Sequence, residues 1–580
     1  MNAERADRPS GERGAALLIA LLAAVFLTIL GLVLLEILRG GMAQAASSEA
    51  AVKAEALAQR GLDETIALVR ERVDAANGPN SDVKQRVDAV QSGIGGIGDV
   101  RVDLAYGHYE IEVSRTDNYA AYNDNIGQIP DYPYAAVLTV TSTGVVSETR
   151  KLTRTVAKTA KIYVSTINPV FKYPVSAAED VSLFGAPYIV GDVLSRTGAL
   201  NVSDTAAFIG SPDSSYTMQS AWPTVEGFRK SSGVVHFHPL NGKNPSVLPA
   251  FDGIEPFDDP DMPDDEPIDI AESKVDPMIA KMNGLTGYSP LISGDLAGHI
   301  NPFVAGDTRI DDEWVTYAAG NSSVIENGSL AVRNGAFILE GETEPDKRDG
   351  AKLNLVDGSL YVDYKYLDEQ AGIEVGLAAA YFAGELKVAP SQAVVVRGNV
   401  VIGSGFQFAG RMYVDGDLKI VGKVDLDGTI FVKGDIEMKE MTSINAGIDK
   451  PLILAASGQL IFSDSRPEDD KGIVRAFLYS EENVALYGIT SRLTIRGGVH
   501  GDSVKINAVR EGDAASKTAS PDKHAGDGDG ILLTSTSDQR KLSPNESNLK
   551  VFFDSVLYTD PPIGIPTSVA VHWFVQYASN

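Results

Sequence analysis

The chain has 580 residues, 44% of them hydrophobic and 7% aromatic, with 56 glycines and 28 prolines. That is more length than one core usually organises, and so many turn residues favour short strands. A formal net charge of -28 repels phosphate backbones and anionic headgroups and excludes general nucleic-acid binding, while the lack of cysteine excludes disulfides, thiolate metal sites, a cysteine nucleophile and a lipoprotein anchor.

Residues 15–35 carry no charge; at about 1.5 Å per residue they make a helix of roughly 31 Å, one hydrocarbon core thick. A secretory signal has a shorter apolar region, about 7 to 15 residues, with small residues close behind it. Here the A-x-A candidate Ala43-Gln44-Ala45 lies beyond Glu36 and Arg39, so a retained span is expected. Arg5, Arg8 and Arg13 precede the span and favour an inside N-terminus, with Glu4, Asp7 and Glu12 balancing their net charge. Apolar or small residues then continue at Ala51, Ala54, Ala58, Leu62, Ile66, Val69 and Val73. Those spacings predict one long helix, bent at Gly40-Gly41 and stopped by Asn77-Gly78-Pro79.

The junction GERGAALLIALL resembles the start of the type IV pilin and pseudopilin family. The resemblance implies a prepilin leader, 1–14, cut at Gly14-Ala15 by a prepilin peptidase, and a methylated Ala15. It also implies an assembly helix, 15–76, presenting Ile19, Leu22, Phe26, Leu30 and Leu34. The fifth mature position, usually glutamate in the family, is Ile19 here. PilX-type minor pilins and K-type pseudopilins share that departure, so the resemblance implies a minor or tip subunit. A plain single-pass anchor following a glycine is the alternative.

In the next region, 77–165, Tyr109, Ile111 and Val113 alternate with His108, Glu110 and Glu112, which predicts a half-buried strand. The run AAVLTVTSTGVVSETRKLTRTVAKTAKIYV predicts two or three more strands turning at Thr143-Gly144, and its S-x-G resembles the turn of PilX-type heads. Residues 15 to about 165 would then complete a small α+β pilin-like module, a long helix plus an antiparallel sheet. Farther on, Gly398-Asn399-Val400, Gly416-Asp417-Leu418 and Gly434-Asp435-Ile436 recur at a fixed interval. A fixed period of short strands and Gly-Asp turns predicts a mainly-β parallel β-helix, or solenoid, rather than an antiparallel sandwich. The layout expected is solenoid over 166–210 and 301–507, interrupted by an acidic, proline-rich insertion over 211–300. A polar loop, 508–548, and two C-terminal strands, 549–580, finish the chain, whose Y-D-P and Trp-bearing ending is similar to that of PilX-type proteins with β-helical heads.

Several patterns offer chemistry, each with a plainer rival. Gly93, Gly95 and Gly98 satisfy G-x-G-x-x-G, but a helix precedes and a strand follows, so a joint is expected. His236 and His238 would share one face of a strand, half of a zinc site lacking its third ligand. Asp258, Asp259 and Asp261, and separately Asp527 and Asp529, are the calcium candidates; both lie in acidic runs whose plainer reading is a solvated loop. Asp425 and Asp427 would lie on one face of a strand, as in carbohydrate-cleaving β-helices, although outward aspartates also keep a strand soluble.

The sequence therefore predicts a non-enzymatic, tip-associated minor subunit of a type IV pilus-like filament, without a cofactor, acting in filament assembly or initiation and in surface adhesion through a β-helical head. It would be a single-pass membrane protein with its C-terminal part outside the cytoplasm, moving to a pilus tip or the cell surface. Its partners would be other pilins or pseudopilins, prepilin peptidase, the membrane and a surface or carbohydrate ligand. A membrane-anchored carbohydrate-active enzyme and a type II secretion pseudopilin are the alternatives.

Overall fold

The computed structural model describes residues 11–577 with breaks, the longest being 239–253, 257–267, 291–302, 365–377 and 511–542. One helix, α1 (Gly11–Ala76), runs uninterrupted through Gly40-Gly41. Its upper part buries Ala50, Ala54, Leu57, Ala58, Leu62, Val69 and Val73, a stripe one residue off the expected one at its start. A second helix, α2 (Val83–Gly95), opens with a capping box at Asp82 and Gln85, which satisfies two donors that helix ends leave orphaned.

An antiparallel sheet lies across α1, in the order β1 (Val100–Leu104), β2 (Gly107–Asp117), β3 (Ala135–Glu148), β4 (Leu152–Ile167) and the C-terminal strand Thr567–Tyr577. Two expectations fail here. Gly144 is not a turn: β3 runs straight through it and pairs it with Val156. A Cβ at Gly144 would collide with the Ala54 carbonyl oxygen, so the glycine is there because α1 touches the sheet at that point. The module also does not finish near residue 165, because its fifth strand comes from the far end of the chain. The two apolar segments of the tail thus part company: Leu549–Phe553 joins a different, parallel sheet, and Thr567–Tyr577 joins this one.

That second sheet has 32 strands among the described residues, and its recorded strand pairings are parallel. The 18-residue repeat is its register: Val400 pairs with Leu418, and Leu418 with Ile436. The Gly-Asp turns are linked in a chain of hydrogen bonds. Asp417 N–H donates to Asn399 Oδ1 at 2.9 Å, Asp435 N–H to Asp417 Oδ1 at 3.0 Å, and Gln459 N–H to Asp435 Oδ1 at 2.8 Å. Each acidic or amide side chain therefore occupies a backbone donor of the next layer, which explains why the repeat keeps that residue type.

The layers do not follow chain order throughout. Val175–Ala177 and Val181–Gly185 pair with strands ending at Gly501 and Ala508, and Thr224–Glu226 pairs with Tyr188–Val190. The rhythm thus does not stop at 210 as expected; strands at 224–226, 229–231, 235–238 and 254–256 extend the parallel sheet. They are three or four residues long, too short to show alternation in the sequence. The chain then returns along the flank of the sheet. Ile270 N–H donates to Glu481 at 2.6 Å, Asp276 meets Lys433 at 2.7 Å, and Asn283 accepts from Arg397 at 2.7 Å, so residues 268–284 form a strap across successive layers.

Three apolar clusters result. One lies between α1 and the antiparallel sheet and includes Leu57, Tyr109, Leu138 and Ile162. Another fills the inside of the parallel sheet, with Val400, Leu418, Ile436 and Leu460. The third joins the two bodies: Val137 and Tyr163 from the antiparallel sheet, Ile270 and Ile279 from the strap, Tyr413, Phe431 and Phe477 from the parallel layers, and Tyr558 from the tail.

Candidate functional site

The functional surface that this architecture presents begins on α1. Below the sheet, the helix buries none of its apolar side chains: Ile19 is 67% exposed, Leu22 62%, Phe26 63%, Leu30 47% and Leu34 53%. This is the one helix among the described residues long and apolar enough to cross a membrane. Gly14 and Ala15 lie within its backbone span, in a first turn and a half whose side chains fall outside the described residues. Thr28 satisfies its hydroxyl within the helix, donating to the Ala24 carbonyl at 2.7 Å, so this stretch offers an apolar surface around its whole circumference.

At the other end, the joint between the two bodies is built from polar and apolar contacts together. Lys274 of the strap meets Asp131 of the antiparallel module at 2.8 Å, with both side chains about one-fifth exposed, and its ammonium lies 6.0 Å from the Phe431 ring. Tyr163 stacks on Phe574 at 4.6 Å and 9°, which ties β4 to the C-terminal strand. Beneath the strap, residues of alternating charge stand in register: Asp311 opposite Arg333, Arg333 opposite Asp363, Asp363 opposite Arg397, and Arg397 opposite Asp415. Asp363 and Arg397 close to 2.9 Å, Lys433 continues the row at 3.7 Å from Asp415, and like charges would meet after any one-layer slip. Sequence reasoning missed this row because its members are separated by unequal loop lengths.

The carboxylates singled out in the sequence sit at the edge of this joint. Leu426 points inward, so Asp425 and Asp427 share the outer face, each half-buried, and each has one oxygen with no hydrogen-bond partner. The sequence places no Arg or His near this pair, but the fold brings a distant lysine to it. Lys450 lies 3.8 Å from Asp427 and 3.0 Å from Asp560 in the tail. Burial pushes the Asp427 carboxyl up, Lys450 opposes that shift, and Asp560 adds to it. Nearby, Thr429 donates to the Ile563 carbonyl at 2.9 Å, and Gly564 packs on the stem of the buried Arg411. The arrangement holds the tail against the parallel sheet.

The remaining candidates divide by where they lie. Gly93 and Gly95 end α2, and β1 follows them. His236 and His238 fall on a strand whose side chains are outside the described residues, and Asp258, Asp259, Asp261, Asp527 and Asp529 lie outside them altogether. Among the described residues, no cluster of three or more His, Asp or Glu is placed to hold a metal ion.

No protein-family model matches the chain, and no curated protein matches it. Among solved structures, the chain is similar to the competence-associated pilin ComZ from Thermus thermophilus at 10% identity. That likeness covers 91% of this chain and 98% of the other, with a TM-score of 0.19. At that score the likeness carries no weight for fold or function, which rest on the chain's own geometry.

Proposed function

We propose that the chain is a minor, tip-associated subunit of a type IV pilus-like filament, cut between Gly14 and Ala15 and acting in filament assembly or initiation. The supporting observation is the division of α1: the same helix is wholly exposed and apolar below, and buried under an antiparallel sheet above. The lower half suits a bilayer before assembly and the packed helices of a filament after it, since both replace water with apolar contact. Ile19 supplies no carboxylate to pair with a neighbour's N-terminal ammonium, which favours a place at the end of a filament over one within its shaft. The parallel sheet, read as a β-solenoid, is the displayed head. Its bulk suits a tip, where it has no neighbour above it, and its role there is surface adhesion without catalysis.

The test is a Gly14 substitution by a bulky residue. A Gly14→Leu chain should stay in the membrane fraction at full precursor length and vanish from the sheared surface fraction. Unchanged processing and unchanged surface yield would contradict the proposal.

A further inference from the structure

The two edges of the antiparallel sheet are treated differently. At the C-terminal strand, Asn77 both donates to the Val571 carbonyl at 2.8 Å and accepts from the Val571 N–H at 3.0 Å, while Arg86 donates to the Val569 carbonyl at 2.8 Å. Side chains thus occupy the backbone groups that an edge strand leaves open. At the opposite edge, β1 pairs with β2 on one side and, among the described residues, with no strand on the other. Helix α1 packs mainly over β3 and β4, so the inner face of β1 is only partly covered, with Val102 and Leu104 half-buried and Val100 open. The gap is an open groove of about 470 Å³ floored by Val100, Val102, Tyr109 and Ile111 and walled by Leu68 of α1. Val100 is 49% exposed.

Among the described residues, the ionisable acids or bases lining the groove, apart from the phenol of Tyr109, are Glu64 and Glu71, one helical heptad apart on α1. Glu64 is occupied, accepting from Arg60 at 2.8 Å and from the Tyr109 hydroxyl. Glu71 makes no ion pair among the described residues and is exposed. The cation of β1, Arg101, is turned to Glu110 at 2.9 Å and Asp103 at 3.1 Å instead of toward the groove.

We infer that β1 is a strand-addition site: an extended segment of another protein pairs with its open edge, sets alternate apolar side chains into the groove, and places a lysine or arginine beside Glu71. Main-chain hydrogen bonds would give the pairing its strength, and the groove would select the side chains. The Glu71 carboxylate favours a basic segment over an acidic one, since like charge in a partly desolvated groove opposes docking.

The absence of cysteine makes the test direct. Val100→Cys, Val102→Cys and, as a control on the parallel sheet, Val356→Cys are introduced singly into the full chain and labelled with a maleimide, in native membranes and after purification. The inference expects labelling at positions 100 and 102 to slow by about tenfold or more in membranes, with position 356 unchanged, and amide exchange across 100–104 to slow with it. Adding Glu71→Lys should restore the rate seen in purified protein. Equal labelling in the two settings would overturn the inference. So would protected side chains with freely exchanging amides, because a covering helix, unlike an added strand, leaves the edge unpaired.

Discussion

Both halves of α1 carry apolar residues, but the lower one has no charge from 15 to 35, the upper one has an apolar stripe between charged faces, and their surroundings are opposite. Above residue 50, alanine, leucine and valine at helical spacing are buried by the antiparallel sheet; below it, larger apolar side chains are exposed on every side. The difference shows what each half needs: the upper half gets its apolar partner from this chain, and the lower half must get one from outside it. Burying a large aliphatic side chain is worth about 1.5–3 kcal/mol, so a helix with some fifteen such residues exposed does not rest in water.

The largest effect on this contrast should come from Gly144→Val. A side chain there drives α1 off the sheet, and the detergent-solubilised protein should lose several kcal/mol of stability to denaturant, on the order of a severe core overpacking plus lost contacts. Next, Leu57→Ala should cost about 2–4 kcal/mol, because Leu57 is 1% exposed. The matching change below, Leu30→Ala, should shift the same unfolding curve by less than about 0.5 kcal/mol. Equal costs at the two positions would erase the distinction between the halves.

A smaller effect should appear in acid. Burial, with help from Lys172, pushes the His572 imidazole down to about 4, and burial with Arg196 pushes His500 down to about 3. Between those values and the ordinary value near 6.5, the unfolded chain binds protons that the folded chain does not. Stability is therefore full above about pH 6.5 and falls with pH below it, by at most about 1.4 kcal/mol per pH unit for each imidazole. His572 lies on the C-terminal strand opposite Ser165 of β4, so acid should loosen the sheet's fifth strand, and His572→Gln should flatten the pH slope of the melting temperature. Apart from the near-neutral Leu30→Ala, the smallest effect is expected from Lys274→Ala, about 1 kcal/mol, since the pair with Asp131 is only partly buried.

How much of this was legible in the sequence depends on spacing. The helix was, because three-and-four periodicity is local. The layers from Asn399 to Ile436 were, because equal loop lengths keep a constant interval. The charged row from Asp311 to Lys433 was not: it is regular in space and irregular along the chain. Gly144 was misread as a turn because a glycine that admits a helix looks, in sequence, like one that bends a strand. The outward apolar residues Tyr361, Val395, Tyr413 and Phe431 hid the alternation of their strands, since the strap and the antiparallel module bury that face as well. The lysine beside Asp427 was invisible because a fold, not a neighbouring residue, brings Lys450 there.

The central claim is that the lower half of α1 is a processed assembly helix, and the mass of the native N-terminus tests it most directly. The account predicts a chain that begins at Ala15 and carries a methyl group on its amino terminus. A chain that begins at Met1, or at Ala46 after signal-type cleavage, would contradict it.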